Sequence, residues 1–282
     1  MRWSPGHRSA NVEDRRGSGG RFIRGAGGMG LGTVVILLVL SLIFKQDMFQ
    51  LVGGAGGAPV EAPAGAPVET TPEEQRLVEF VSFVLDDAQS VWDSVLPAHG
   101  AAYRPARLVL FRDAIQSACG FAESATGPFY CPADEKVYID LGFYQELHDR
   151  FGAPGDFAQA YVLAHEIGHH VQNVLGTEGE VRRLRSSRPD LANELSVRLE
   201  LQADCYAGVW AHSTAQRDLL ERGDVEEGLG AAAAVGDDRI QRMGGGRVSP
   251  EAFTHGSSEQ RMRWFQAGMQ AGRPDACDAF GR

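Results

Sequence analysis

Apolar residues along this chain fall into three patterns: one long unbroken run, several stretches with a helical repeat, and a few short blocks. The run is Gly25 to Phe44, 20 residues without a charge and dense in Val, Ile and Leu from Val34 onward. That length just spans a bilayer. Residues 52–70 are almost all Gly, Ala, Pro and Val, the composition of a linker. Thr71, Pro72 and Glu74 then read as a helix start, with Thr as N-cap, Pro at the first helical position and Glu placed to close a capping box. Leu77, Phe80, Val81, Val84, Leu85, Ala88, Val91 and Trp92 continue it at helical spacing.

Leu108 to Phe111 and Val137 to Leu141 are apolar or β-branched blocks between turn residues, which predicts two strands. Asp156 and Gln159 open a second helix that runs through Tyr161, Ile167 and Val174 and stops at Gly176. The loop after Gly176 is long enough for a third helix, over 190–213, to return beside the second. A fourth is expected over 225–243, and a fifth from after Ser257 to near Gly272. The fold class is α+β, mainly helical with a small sheet. The chain divides into a basic head (1–24), a transmembrane anchor (25–44), a linker (45–70) and one domain (71–282).

Charge changes this picture in two ways. The chain carries 27 Lys plus Arg against 37 Asp plus Glu, a net charge of -10 that argues against a nucleic-acid partner. The head runs the other way, with Arg2, Arg8, Arg15, Arg16, Arg21 and Arg24 against Glu13 and Asp14. The positive-inside rule then leaves the head in the cytoplasm and exports everything after Lys45. A cleaved signal peptide is the alternative, although Lys45, Gln46 and Asp47 offer no small-residue cleavage site. Gly25, Gly27 and Gly30 spell G-x-G-x-x-G, but no strand precedes them, so the dinucleotide-binding context is missing.

The chemistry sits in residues 165–169, His-Glu-Ile-Gly-His, on the second helix. His165 and His169 lie one turn apart on one face, where two imidazoles can hold one metal. Glu166 is rotated away from ligation but can address a water on that metal. The pentapeptide pattern is expected by chance only about 0.015 times in a chain of this composition. A catalytic zinc needs a third protein ligand. The extension that would supply a third histidine is absent, since Gln172 and Leu175 stand at its Gly and His positions. His170 points about 100° from His169 and reads as a surface or supporting residue. Glu200 and Asp204, four apart on the third helix, are the leading pair: Glu200 as oxygen ligand, Asp204 as acceptor fixing an imidazole's tautomer.

The strings His165-Glu-Ile-Gly-His-His170, Leu199-Glu-Leu-Gln-Ala-Asp-Cys205, Thr254-His-Gly-Ser-Ser-Glu-Gln-Arg261 and Gly127-Pro-Phe-Tyr-Cys-Pro-Ala-Asp134 resemble those of the bacterial neutral zinc metallopeptidases. The resemblance covers nearly the whole chain. It implies a gluzincin-like zincin fold with Zn2+ on His165, His169 and Glu200. Related membrane gluzincins carry His-Pro where this chain has His255-Gly256.

The expected activity is metal-assisted hydrolysis of a peptide or protein substrate, with Glu166 as general base and His255 as candidate donor to the developing oxyanion. Tyr161 lies too far back on the helix to be favoured for that role. Val137 to Leu141 is the expected sheet edge for an extended substrate. The alternative is a membrane-tethered zinc-containing binding or scaffold protein, with Cys205 the nearest fourth ligand for a closed site. An esterase or amidase using the same chemistry is a third reading. Export and four cysteines favour disulfides. The short Gly- and Pro-containing segment between Cys119 and Cys131 can fold back to join them, which leaves Cys205 with Cys277.

Overall fold

The computed structural model describes residues 1–17 and 70–281. The expected anchor Gly25–Phe44 and the linker up to residue 69 lie outside them. Among the described residues no helix is long and apolar enough to cross a membrane.

The first described strand is β1 (Val12–Asp14), and the first helix is α1 (Pro72–Val95). Thr71 caps α1, its hydroxyl accepting from the Glu74 N–H at 3.1 Å. The reciprocal half of the expected capping box is absent, because the Glu74 carboxylate is taken by Arg112 and Arg16 instead. Then come β2 (Arg107–Phe111), the hairpin β3 (Ala114–Ser117) and β4 (Gly120–Glu123), β5 (Phe129–Cys131) and β6 (Lys136–Asp140). A four-stranded sheet runs in the order β1-β2-β6-β5, with β1, β2 and β6 parallel and β5 antiparallel to β6. The block Val137–Leu141 is therefore no edge: β5 covers it, and β5 itself ends the sheet on one side. At the other edge stands β1, so residues 1–17 are part of this fold rather than a separate head.

The remaining helices are α2 (Gly142–Asp149), α3 (Asp156–Val174), α4 (Thr177–Ser187), α5 (Ala192–Gln216), α6 (Asp224–Ala234), α7 (Asp237–Met243) and α8 (Ser258–Ala271). The structure is mainly helical with a small sheet, as the pattern predicts. Where a loop was expected after Gly176, α4 forms instead. The helix expected over 225–243 breaks at Gly236, where a Cβ would fall 2.4 Å from the Ser258 nitrogen.

α3 packs against both the sheet and α5, and α8 packs on α5 while reaching α3 through Arg261 and Phe265. Both contacts of α5 depend on missing side chains. A Cβ on Gly268 of α8 would come within 1.9 Å of the Cys205 carbonyl, and one on Gly168 of α3 within 2.9 Å of the Ala203 carbonyl. The α3 contact matters most for the site, because Ala203 lies between Glu200 and Asp204. Backbone-to-backbone approach brings those two acids to the histidine face. Cys205–Cys277 ties α5 to the chain end, and Cys119–Cys131 ties the β3–β4 hairpin to β5, the pairing the sequence predicts.

Candidate metal centre

His165 and His169 project from α3 toward Glu200 on α5, and one ligand atom from each of the three lies within 4.8 Å of the others. Each imidazole is held by its Nδ1. His165 Nδ1 donates to Asp204 Oδ1 at 2.8 Å, and His169 Nδ1 donates to Gln172 Oε1 at 2.8 Å. Gln172 is fixed in turn, its amide donating to the Leu199 carbonyl at 2.7 Å and to Gln202 Oε1 at 3.1 Å. Both Nε2 atoms therefore face the Glu200 carboxylate, at 3.2 Å from His165 and 3.4 Å from His169. Two imidazole nitrogens and one carboxylate on a common point are a donor set that fits zinc. Orientation of each imidazole through its second nitrogen is the support such sites need.

The electrostatics agree. Burial alone would pull the His169 imidazolium down, but the Glu200 carboxylate overrides it and pushes its pKa up to about 10. His165 is raised in the same way by Asp204 and Glu200, against burial. Burial opposes ionisation of Glu200, yet His169 and His165 hold it well below the usual carboxylate range. The pocket thus concentrates one negative charge against two imidazoles whose protons a divalent cation can replace.

Asp204 is completely buried and is held by more than His165. Arg261 of α8 grips it through two bonds, Nε to Oδ2 at 2.8 Å and Nη2 to Oδ1 at 2.9 Å, and the Tyr161 hydroxyl donates to Oδ1 at 2.5 Å. Burial disfavours the Asp204 anion, but Arg261 and His165 lower its pKa nonetheless. Tyr161 therefore supports Asp204. Arg261 and Gln172 carry no role in the sequence argument; Arg261 was visible only as the end of the Thr254–Arg261 string.

Glu166 behaves differently from the other acids. It is 7% exposed, and among the described residues its carboxylate has no hydrogen-bond or ion-pair partner. Burial raises its pKa, with His165 and His169 pulling the other way. It opens with His165, His169 and Glu200 into a cleft of about 580 Å³. His255 lines the same cleft. Asp237 orients it, Oδ1 lying 3.1 Å from His255 Nδ1 while Oδ2 accepts the backbone N–H groups of Thr254, His255 and Gly256. The Asp237 hydrogen bond raises the His255 pKa, and burial lowers it by less. The break at Gly236 is what places Asp237 under this loop.

His170 points away from the metal face as expected, but it is not a surface residue: fully buried, it donates through Nε2 to the Arg104 carbonyl at 2.5 Å and accepts from the Tyr130 hydroxyl at 3.0 Å. It links α3 to the segment before β2 and to β5. Cys205 is bonded to Cys277, the expected pairing, which removes the fourth ligand that a closed site would have taken from it. The cleft wall opposite the histidines is built from β5, through Phe129 and Tyr130.

Residues 1–280 match a family described as "Putative neutral zinc metallopeptidase". The chain is 45% identical to the "Uncharacterized protein YpfJ" of Escherichia coli (strain K12) over 286 residues, covering 100% of this chain and 99% of that protein. It is 45% identical over 206 residues to the "Uncharacterized protein Rv2575" of Mycobacterium tuberculosis, covering 69% of this chain and 68% of the relative. A similar match is to the "Uncharacterized protein Mb2605" of Mycobacterium bovis, 45% identical over the same length. No solved structure matches.

Proposed function

The chain belongs to the neutral zinc metallopeptidase family, and from that premise we propose that it hydrolyses peptide bonds at a zinc held by His165, His169 and Glu200. The observation that carries this reading is Glu166: a buried carboxylate without a partner among the described residues, facing the cleft beside two imidazoles that are already oriented. A zinc held there would supply Lewis acidity to polarise the scissile carbonyl and acidify the attacking water. Glu166 accepts a proton from the attacking water and passes it to the leaving amine.

His255 lines the cleft while Asp237 holds its Nδ1, which suits its other ring nitrogen to donate to the developing oxyanion. An extended substrate adds to β5, the edge strand among the described residues, in place of the buried β6. With its two-histidine helix and a glutamate from a neighbouring helix, the domain is read as gluzincin-like. Two disulfides support an exported hydrolase.

The zinc-loaded chain is expected to cleave an unbiased peptide library, to stop on chelation and to recover when zinc is restored. Stoichiometric zinc without cleavage would favour the binding or scaffold role instead. His255→Ala is expected to lower kcat about 10²- to 10³-fold with a smaller change in KM, as loss of an oxyanion donor does. Asp237→Asn should move kcat in the same direction by less. Steady-state kinetics on one peptide tests both, and an unchanged kcat in His255→Ala would make that histidine structural.

A further inference from the structure

We propose that residues 1–17 and the domain bearing the histidine pair fold as one body in one compartment, so that the basic head is exported with the catalytic site. The inference stands on the packing of the head and not on catalysis.

The head is joined to the domain by backbone, charge and apolar contacts. Val12, Glu13 and Asp14 pair in parallel with Leu108, Val109 and Leu110, and the Arg15 N–H donates to the Leu110 carbonyl at 2.8 Å. Glu13 accepts from Lys136 of β6 at 2.9 Å and from Arg107 of β2 at 3.1 Å. Burial opposes its ionisation, yet Lys136, Arg107 and Arg15 bring its pKa down to about 2. The Arg16 side chain is 2% exposed, with Nη1 2.7 Å from Glu74 Oε1 in an ion pair that is not aligned as a hydrogen bond. Gly6 donates to Glu79, and His7 and Ser9 both reach Asp86, so a second line of contacts runs along α1. Trp3 lies 5.3 Å from the ring of Phe80.

A single crossing by the intervening segment would put β1 and β2 on opposite faces of about 30 Å of hydrocarbon. Strand pairing across that distance is impossible. The Arg16–Glu74 pair shows further that residues 16 and 74 lie side by side on the domain. The positive-inside expectation treats the head's arginines as free cations held by the cytoplasm. Arg15 and Arg16 are instead committed to Glu13, Asp14 and Glu74 of the folded body. The two disulfides belong to an oxidising compartment, which fixes the side the head shares.

The test uses the full chain in spheroplasts. All four cysteines are paired, so a membrane-impermeant thiol reagent reads only an introduced cysteine. Ser4→Cys in the head and Glu226→Cys on α6, both at exposed positions, are expected to label to the same extent before lysis. Labelling of Glu226→Cys alone, with Ser4→Cys reached only after lysis, would overturn the proposal. Protection of both would overturn the export of the head. A second variant keeps the pairing itself testable: His7→Cys with Asp86→Cys, where the native side chains meet at 2.9 Å, should be joined by a short thiol cross-linker. A protease cut engineered between residues 45 and 69 should then leave the head attached. Release of the head after that treatment would also refute it.

Discussion

Replacing Glu166 by glutamine is expected to lower peptide hydrolysis about 10²- to 10⁴-fold, the range that a general base supplies, with zinc content unchanged. The two readouts separate because Glu166 and the ligands are separate groups. The ligand set closes through the two imidazole Nε2 atoms and Glu200, and Glu166 belongs to no hydrogen bond or ion pair of that set. Glutamine has nearly the same shape and cannot accept the proton. Removing the carboxylate also costs the fold little, because no buried partner is left unpaired. Metal analysis beside steady-state kinetics on a cleaved peptide gives the result. Loss of zinc in proportion to activity would show that Glu166 is a ligand and that the role given to Glu200 is wrong.

The metal face was legible because helical geometry alone relates its parts. Residues four apart share a face, so His165 with His169 and Glu200 with Asp204 could be matched before any packing was known. What periodicity does not carry is which groups hold the ligands in place. Gln172 stands where a third-histidine extension would need glycine, and its bond to His169 depends on Leu199 and Gln202 of a different helix. Arg261 reaches Asp204 from 57 residues away. Both are tertiary facts, and no local pattern announces them.

The elements the sequence hid share a physical cause. β1 is Val-Glu-Asp, with no apolar alternation, because an edge strand can spend its side chains on ion pairs, as Glu13 and Asp14 do. α4 is charged on nearly every side and buries only Thr177 and Val181, so no hydrophobic stripe marks it. β5 is three residues between prolines, and its place on the sheet edge appears only through its pairing with β6. That last miss bears on the proposed function, in which an extended substrate adds to this strand beside the cleft.

The third ligand and its support are expected to separate by zinc affinity, in the order wild type, Asp204→Asn, Glu200→Ala. Glu200→Ala removes the carboxylate that both Nε2 atoms face and leaves two imidazoles, too few to retain zinc under mild chelation. Asp204→Asn keeps all three ligands and weakens the group that orients His165, a change that costs about 10- to 100-fold in metal affinity. The structure adds a second consequence for this variant. Asp204 is the buried counter-charge to Arg261, which is itself 3% exposed, and an amide cannot balance the guanidinium. Breaking such a pair costs about 3 to 5 kcal/mol of stability. Asp204→Asn should therefore show the larger fall in melting temperature and Glu200→Ala the larger fall in affinity, because Glu200 lies 3.9 Å from Arg261 and is not its principal partner. Competition against a graded chelator series at a temperature where each variant is folded, beside a thermal melt, reads the two effects independently. Zinc bound as tightly by Glu200→Ala as by wild type would exclude Glu200 as the third ligand, and His255, on the same cleft, would be the next to substitute.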